Sequence, residues 1–190
     1  MPAASIKELV ALAKQRPAQL AYGTSGNGSS GHLTGALLEI MAGIKLIHVP
    51  YKGAAAALTD AIGGQNPLVI TGATGLAPLV KAGRIRVLAI CSSARLASWP
   101  ELPTVAESGY PGFVGITWFG LVVPAGTPKP IIDRLHAESV KILSRDDIRK
   151  TFLKGGMEAE GNSPQEFAEA IRREVEQWKK LVKTAGIKAQ

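Results

Sequence analysis

One feature constrains this chain more than any other: short apolar runs alternate with helical stretches. The runs are Leu20-Ala21-Tyr22, Leu46-Ile47-His48-Val49, Leu68-Val69-Ile70 and Ile85-Arg86-Val87-Leu88-Ala89-Ile90, and between them lie segments rich in Ala, Leu and Gly at helical period. Runs of this length that are apolar on both faces suit strands covered on both sides. The pattern predicts an α/β fold with a parallel sheet under helices, and ligands on such sheets gather at the carboxyl ends of the strands. Function is therefore expected in the strand-to-helix loops.

With 190 residues, 46% of them hydrophobic and 19% charged, the chain can bury a real core in one domain or two small lobes. No stretch reaches the roughly 18 apolar residues of a membrane-spanning helix. The opening Met1-Pro2-Ala3-Ala4 lacks the basic and then apolar pattern of an export signal. Cys91 stands alone in an apolar run and is expected to pack as a small core residue, which leaves no cysteine pair for a disulfide or a metal. The formal charge of +7 is dispersed, and near the end it is interleaved with acids, as in Arg172-Arg173-Glu174-Val175-Glu176. That pattern suits a solvated face biased toward anionic ligands, with no nucleic-acid partner.

Ser5 followed by Glu8 is a capping box for a helix over Ile6 to Gln15, which Arg16-Pro17 ends. From Ser92 to Pro111 the periodicity stops, and Trp99-Pro100, Leu102-Pro103 and Tyr110-Pro111 punctuate a long irregular connection. Two parts are expected. Residues 1–112 form an α/β ligand-binding lobe. Residues 113–190 supply a crossover strand, from the run Ile116 to Val123, and a mainly helical tail. In that tail Thr127-Pro128 and Ser163-Pro164-Gln165-Glu166 read as N-caps with proline at the first helical position, and Ser144 with Asp147 opens a helix between them. Phe167, Ile171, Val175, Trp178 and Leu181 form a stripe that needs a surface to bury against.

The candidate site begins with Gly23-Thr24-Ser25-Gly26-Asn27-Gly28-Ser29-Ser30-Gly31-His32, between a predicted strand and a helix running to about Met41. Free amides of a first helical turn, the positive end of the helix dipole and the hydroxyls of Thr24, Ser25, Ser29 and Ser30 make a neutral cradle for a carboxylate or phosphate. A tight turn with a cap is the plainer alternative. Pro50-Tyr51-Lys52-Gly53 follows the next strand and precedes the helix Ala54 to Ile62, so it occupies the equivalent sheet edge. Tyr51 is ranked above Lys52, because a lysine either supplies charge or simply snorkels to water. Thr71-Gly72-Ala73-Thr74-Gly75 is a third wall or a plain turn. His32 either faces the cleft or is a hydrogen-bonded structural histidine.

Gly26-Asn27-Gly28-Ser29-Ser30-Gly31 also fits G-x-G-x-x-G, which opens a rival: an NADP-type dinucleotide-binding domain of an oxidoreductase. The acid such a site needs after the second strand is missing; His48-Val49-Pro50-Tyr51-Lys52 stands there, with Lys52 the one residue suited to a 2′-phosphate. Neither Ser25 nor Ser29 fits a nucleophile elbow, and His32, His48 and His136 have no acid partner and no metal-ligand spacing. No catalysis, cofactor or metal is expected. A third possibility is a non-binding remnant serving as an interaction module.

Tyr22-Gly23-Thr24-Ser25-Gly26-Asn27-Gly28-Ser29-Ser30-Gly31-His32-Leu33 followed by His48-Val49-Pro50-Tyr51-Lys52-Gly53 resembles the Bug-type solute receptors of tripartite tricarboxylate transporters. Leu79 to Ala89, Leu102 to Gly109, Trp118-Phe119-Gly120-Leu121 and Pro124 to Pro128 extend the resemblance through the chain. It implies a two-lobed, non-enzymatic periplasmic protein that closes on a small organic acid and delivers it to a membrane permease. By resemblance the ligand meets the Ser25 to Ser30 and Tyr51 to Gly53 loops of the second lobe, largely through backbone groups and ordered water. Pro67 and Thr71 stand where the family usually shows Asp, which bears on ligand choice. The resemblance also implies an export signal and about half of a first lobe ahead of this sequence, so the chain is expected to be N-terminally truncated. Its tail helices are then expected to leave apolar surface open and to pair copies into a homo-oligomer.

Overall fold

The computed structural model describes residues 1–187, and its elements in chain order are α1 (Ile6–Gln15), β1 (Ala21–Thr24), α2 (Ser30–Ala42), β2 (Ile47–Pro50), α3 (Ala54–Ile62), α4 (Ala77–Lys81), α5 (Lys129–Leu143), α6 (Asp146–Lys154) and α7 (Pro164–Ala185). In α1 the residues Ile6, Leu9, Val10 and Ala13 recur at helical spacing and all are buried. Ser5 Oγ accepts from Glu8 N at 3.2 Å, and the Glu8 carboxylate reaches back to Ala4 N at 2.8 Å. The reciprocal bond of the expected capping box thus falls one residue earlier.

β1 and β2 pair in parallel with Ala21 opposite Ile47 and Thr24 opposite Pro50. The third predicted strand joins on the far side of β1: Gly23 N donates to Leu68 O at 2.8 Å and Ile70 N to Gly23 O at 3.0 Å. It amounts to one parallel bridge, Gly23 to Val69, because Pro67 has no N–H with which to extend the ladder. Asn66, 2% exposed, braces that junction when its amide is turned so that Oδ1 accepts from Gly23 N at 2.7 Å and Nδ2 donates to Leu68 O at 3.1 Å. The fourth predicted strand is likewise reduced to a bridge, Ile90 to Thr104, made with the irregular connection. The order is therefore β2, β1, then the Leu68–Ile70 segment.

Helix α2 lies hard against the sheet through Gly31 and Gly35. A methyl group at Gly35 would run into the ring of Tyr22, and one at Gly31 into the carbonyl of Ile70. The core joins α1, β1, α2 and the approach to β2 with Val105 and Phe113. Cys91 packs against this core, and burial pushes its thiol up to about 11. The sequence placed it correctly as a core residue.

The tail differs from expectation in detail. Ser163 makes the full capping box with Glu166 and Pro164 opens α7 as predicted. Thr127 does not cap α5; its hydroxyl donates to Pro124 O and Pro128 holds the cap position without a side-chain bond. Ser144 donates to Lys141 O inside the preceding helix, so α6 is preceded by Arg145 instead. The run Ile116 to Val123 forms no strand, and among the described residues its main chain makes no hydrogen bond. Of the α7 stripe Leu181 is buried, Phe167 meets Trp118 edge-on at 5.1 Å, and Val175 is exposed.

Candidate functional site

The loop after β1 and the loop after β2 leave the same edge of the sheet. Their strands are register partners up to Thr24 and Pro50, and Tyr51 N donates to Thr24 O at 3.1 Å. A methyl group at Gly26 would stand 3.4 Å from Tyr51 O, so the glycine-rich loop passes directly over the second one. Gly26, Gly28 and Gly53 hold positive φ, a backbone region costly to side chains. These residue types are what let two loops stack at the head of α2 and α3.

Within the first loop, much of the predicted donor set serves the protein itself. Thr24 is fully buried; its Oγ1 takes the Gly26 amide at 3.3 Å and lies 2.7 Å from His48 Nε2. Ser29 accepts from His32 N at 3.3 Å as the cap of α2 and donates to Gly26 O at 2.7 Å. Ser30 meets the Thr117 hydroxyl at 2.7 Å. The expected four-hydroxyl cradle is thereby corrected: among the described residues only Ser25 keeps its hydroxyl without an internal partner. A buried or capping hydroxyl is satisfied before any ligand arrives.

What remains is mainly backbone. The amides of Ser25, Asn27, Ser30 and Gly31 make no hydrogen bond within the described residues, nor do those of Lys52 and Gly53. The N-cap of α3 is Gly53, and no side chain caps that helix. Two helix starts with amides unpartnered among the described residues therefore lie beside one sheet edge, each with the partial positive charge of a helix N-terminus. Lys52 is exposed and adds a full charge at the rim.

Tyr51 departs from its expected role. Its hydroxyl donates to Asp60 Oδ2 at 2.8 Å, and that bond to the Asp60 carboxylate raises its pKa. The ring shields the backbone of Gly23, where a methyl group would come within 3.0 Å of it. It braces the loop through Asp60 and the Gly23 backbone. The third loop sits beyond β1: Gly31 meets the Ile70 carbonyl, and Gly156 after α6 crowds the Ala73 carbonyl. Gly72 is exposed and Thr71 half-buried.

The sequence missed a pairing of histidines. His32 on α2 and His48 on β2 stack with ring centroids 3.8 Å apart and planes within 5°. Tyr22 is tilted against His48 with ring centroids 5.2 Å apart. His32 Nδ1 accepts the Gly28 amide at 3.1 Å, so that nitrogen carries no proton. Burial lowers both histidines, and the neighbouring His32 helps bring His48 down to about 4. Sixteen positions separate the two in sequence, a distance with no helical or strand meaning; the signal was that each sits beside one of the two paired loops.

One recess adjoins the site at Ser30, and a second lies apart from it. A cavity of about 210 Å³ is bounded by Ser30, Leu33, Ile116, Thr117, Trp118, Glu174 and Trp178, with Trp118 Nε1 donating to Glu174 at 2.9 Å. A wider groove of about 710 Å³ runs between α2 and α7 and does not reach the loops. Among the described residues no cluster of three or more metal-ligating side chains occurs.

A parallel sheet with two glycine-rich helix starts at its carboxyl edge defines an α/β protein of the periplasmic-binding-protein kind. Residues 1–187 match the family described as tripartite tricarboxylate transporter family receptor, and the chain belongs to that family. A Pseudomonas sp. (strain P51) protein described as a UPF0065 protein in the tcbD-tcbE intergenic region is 35% identical over 93% of this chain and 53% of its own length. Among solved structures, an R. palustris protein with adipate is 38% identical with a TM-score of 0.89, covering 98% of this chain and 62% of the other. Periplasmic binding protein BugD is 30% identical with a TM-score of 0.80, covering 100% and 64%. The chain spans about half the length of the first of these relatives and under two thirds of the solved ones. The dinucleotide alternative is not favoured by these likenesses.

Proposed function

We propose that this chain takes up a small organic acid as a solute receptor of a tripartite tricarboxylate transporter, and that the carboxylate sits at the edge formed by residues 24–32 and 51–53. The supporting observation is the pair of adjoining loops whose amides at two helix starts make no hydrogen bond within the described residues, at the head of parallel strands. The relative solved with adipate supports a carboxylate as the ligand class. Ser25, Gly26, Asn27, Gly28, Ser29, Ser30, Lys52 and Gly53 supply backbone and rim contacts. Thr24, His32 and Tyr51 shape the loops from within, and Thr71 and Gly72 stand at the far side.

The protein acts by binding alone. Among the described residues one hydroxyl–imidazole contact occurs, Thr24 with His48, and its Thr24 side is fully buried; Ser29 donates to a carbonyl and not to a base. It works in the periplasm and hands its solute to a membrane permease, in keeping with BugD and the family. Residues 1–112 carry the site, residues 113–190 belong to a second unit, and the apolar tail surface pairs copies of the chain.

Thermal melting with a panel of dicarboxylates, amino acids, aromatic acids and NADP tests this. A ligand at about a hundred times its Kd adds roughly 2.7 kcal/mol of native-state stability, a shift of several degrees. Stabilisation by acids supports the proposal; stabilisation by NADP alone overturns it.

A further inference from the structure

Simple capture of an anion by main-chain amides makes no use of the stacked histidines. Yet His32 occupies the Gly28 amide, which would otherwise point from the middle of the glycine-rich loop as a free donor. The bond requires a bare Nδ1 lone pair, so it exists only while His32 is neutral. His48 lies face to face at 3.8 Å, with its Nε2 engaged by Thr24 Oγ1 at 2.7 Å.

We infer that His32 is a positioning residue that couples anion binding to proton uptake, releasing the Gly28 amide to the ligand when its ring is protonated. This rests on the carboxylate function proposed above. One proton from solvent adds to the Nδ1 lone pair, and the Gly28 N–H to Nδ1 bond is lost. The imidazolium then carries N–H on both nitrogens, and Gly28 N–H becomes available. The edge gains two donors and one positive charge in a single event. His48 stays neutral, because a second charge on a parallel ring 3.8 Å away would be strongly repelled. Burial and the neighbouring ring already hold His48 the lower of the two in their response to acid.

The surrounding groups leave this role to His32. On β1 the nearest titratable neighbour is Tyr22, whose phenol burial pushes up and out of the working range. On α2, Glu39 is engaged with Leu46 N at 2.9 Å. In the loop after β2, Tyr51 is bound to Asp60, and Lys52 is exposed. Among the described residues no carboxylate hydrogen-bonds either imidazole, so an incoming anion is the partner that raises the proton affinity of His32.

The test is calorimetric titration of the full chain with adipate and with benzoate, a monoacid already ionised throughout, between about pH 6 and about pH 8 in buffers of differing ionisation enthalpy. Proton-linked binding weakens by up to about tenfold per pH unit and shows a buffer-dependent heat equal to roughly one proton taken up. His32→Asn offers Gly28 an amide oxygen without titrating, and is expected to bind with affinity independent of pH. Binding by wild type with neither pH dependence nor buffer-dependent heat overturns the coupling and leaves the carboxylate proposal intact. Failure of every acid at every pH overturns both. The wild-type heats decide the matter even if the variant does not fold.

Discussion

Leu9 on α1 and Leu135 on α5 occupy comparable places on amphipathic helices, yet Leu9 is 1% exposed and Leu135 45%. The contrast extends across the molecule. Every residue of the core cluster lies between Ala3 and Phe113, whereas Trp118, Phe119, Leu121, Val122, Ile131, Ile142 and Val175 are all exposed. Hydrophobic period is written along the chain, but burial needs a second surface to meet. The first region finds that surface in its own sheet and helices, and the tail finds it chiefly where α7 touches α2.

The sharpest way to break this comparison is to truncate both leucines. Leu9→Ala is expected to cost about 2–5 kcal/mol in chemical denaturation and Leu135→Ala no more than about 0.5. Equal losses would show that the tail is buried in solution. Gly35→Ala attacks the other side of the contrast, the tight seat of α2 on Tyr22, and should cost about 1–3 kcal/mol with no change in association. Ser163→Ala removes the capping box of α7 and should cost about 1 kcal/mol if that helix folds with the core. Smallest in stability, Phe119→Ser with Leu121→Lys should alter melting hardly at all but shift light scattering toward a smaller species. An unchanged mass would sink pairing through this face.

Acid sharpens the same division. The folded pKa of His32 and His48 lies below the unfolded value of about 6.5, so the folded state binds fewer protons than the unfolded one. Their contribution is fully present above about pH 6.5 and is lost as pH falls toward about 4, where His48 titrates. Melting temperature should decline through that window, and His48→Gln should flatten the decline. A wild-type melting temperature constant from pH 7 to about pH 4 would contradict the buried, neutral stack.

Local signals carried far in this protein. Ser5 with Glu8, the break at Arg16-Pro17, the helix after Gly53 and the Ser163-Pro164 start all stand where residue types placed them, because caps and breakers act within a few residues. Cap assignments at Thr127 and Ser144 failed because a hydroxyl chooses among several nearby carbonyls and amides, and sequence does not rank them.

By itself, then, the sequence determined the alternation of strand and helix, the core face of α1, and the glycines that let two loops approach. Only the tertiary structure decided which donors stay free. Thr24, Ser29 and Ser30 are spent on His48, Gly26 and Thr117, and the Gly28 amide on His32. The physical reason is that hydrogen bonding is a competition among groups brought together by folding, and four of these partners come from elsewhere in the loop or from 24 to 87 residues away.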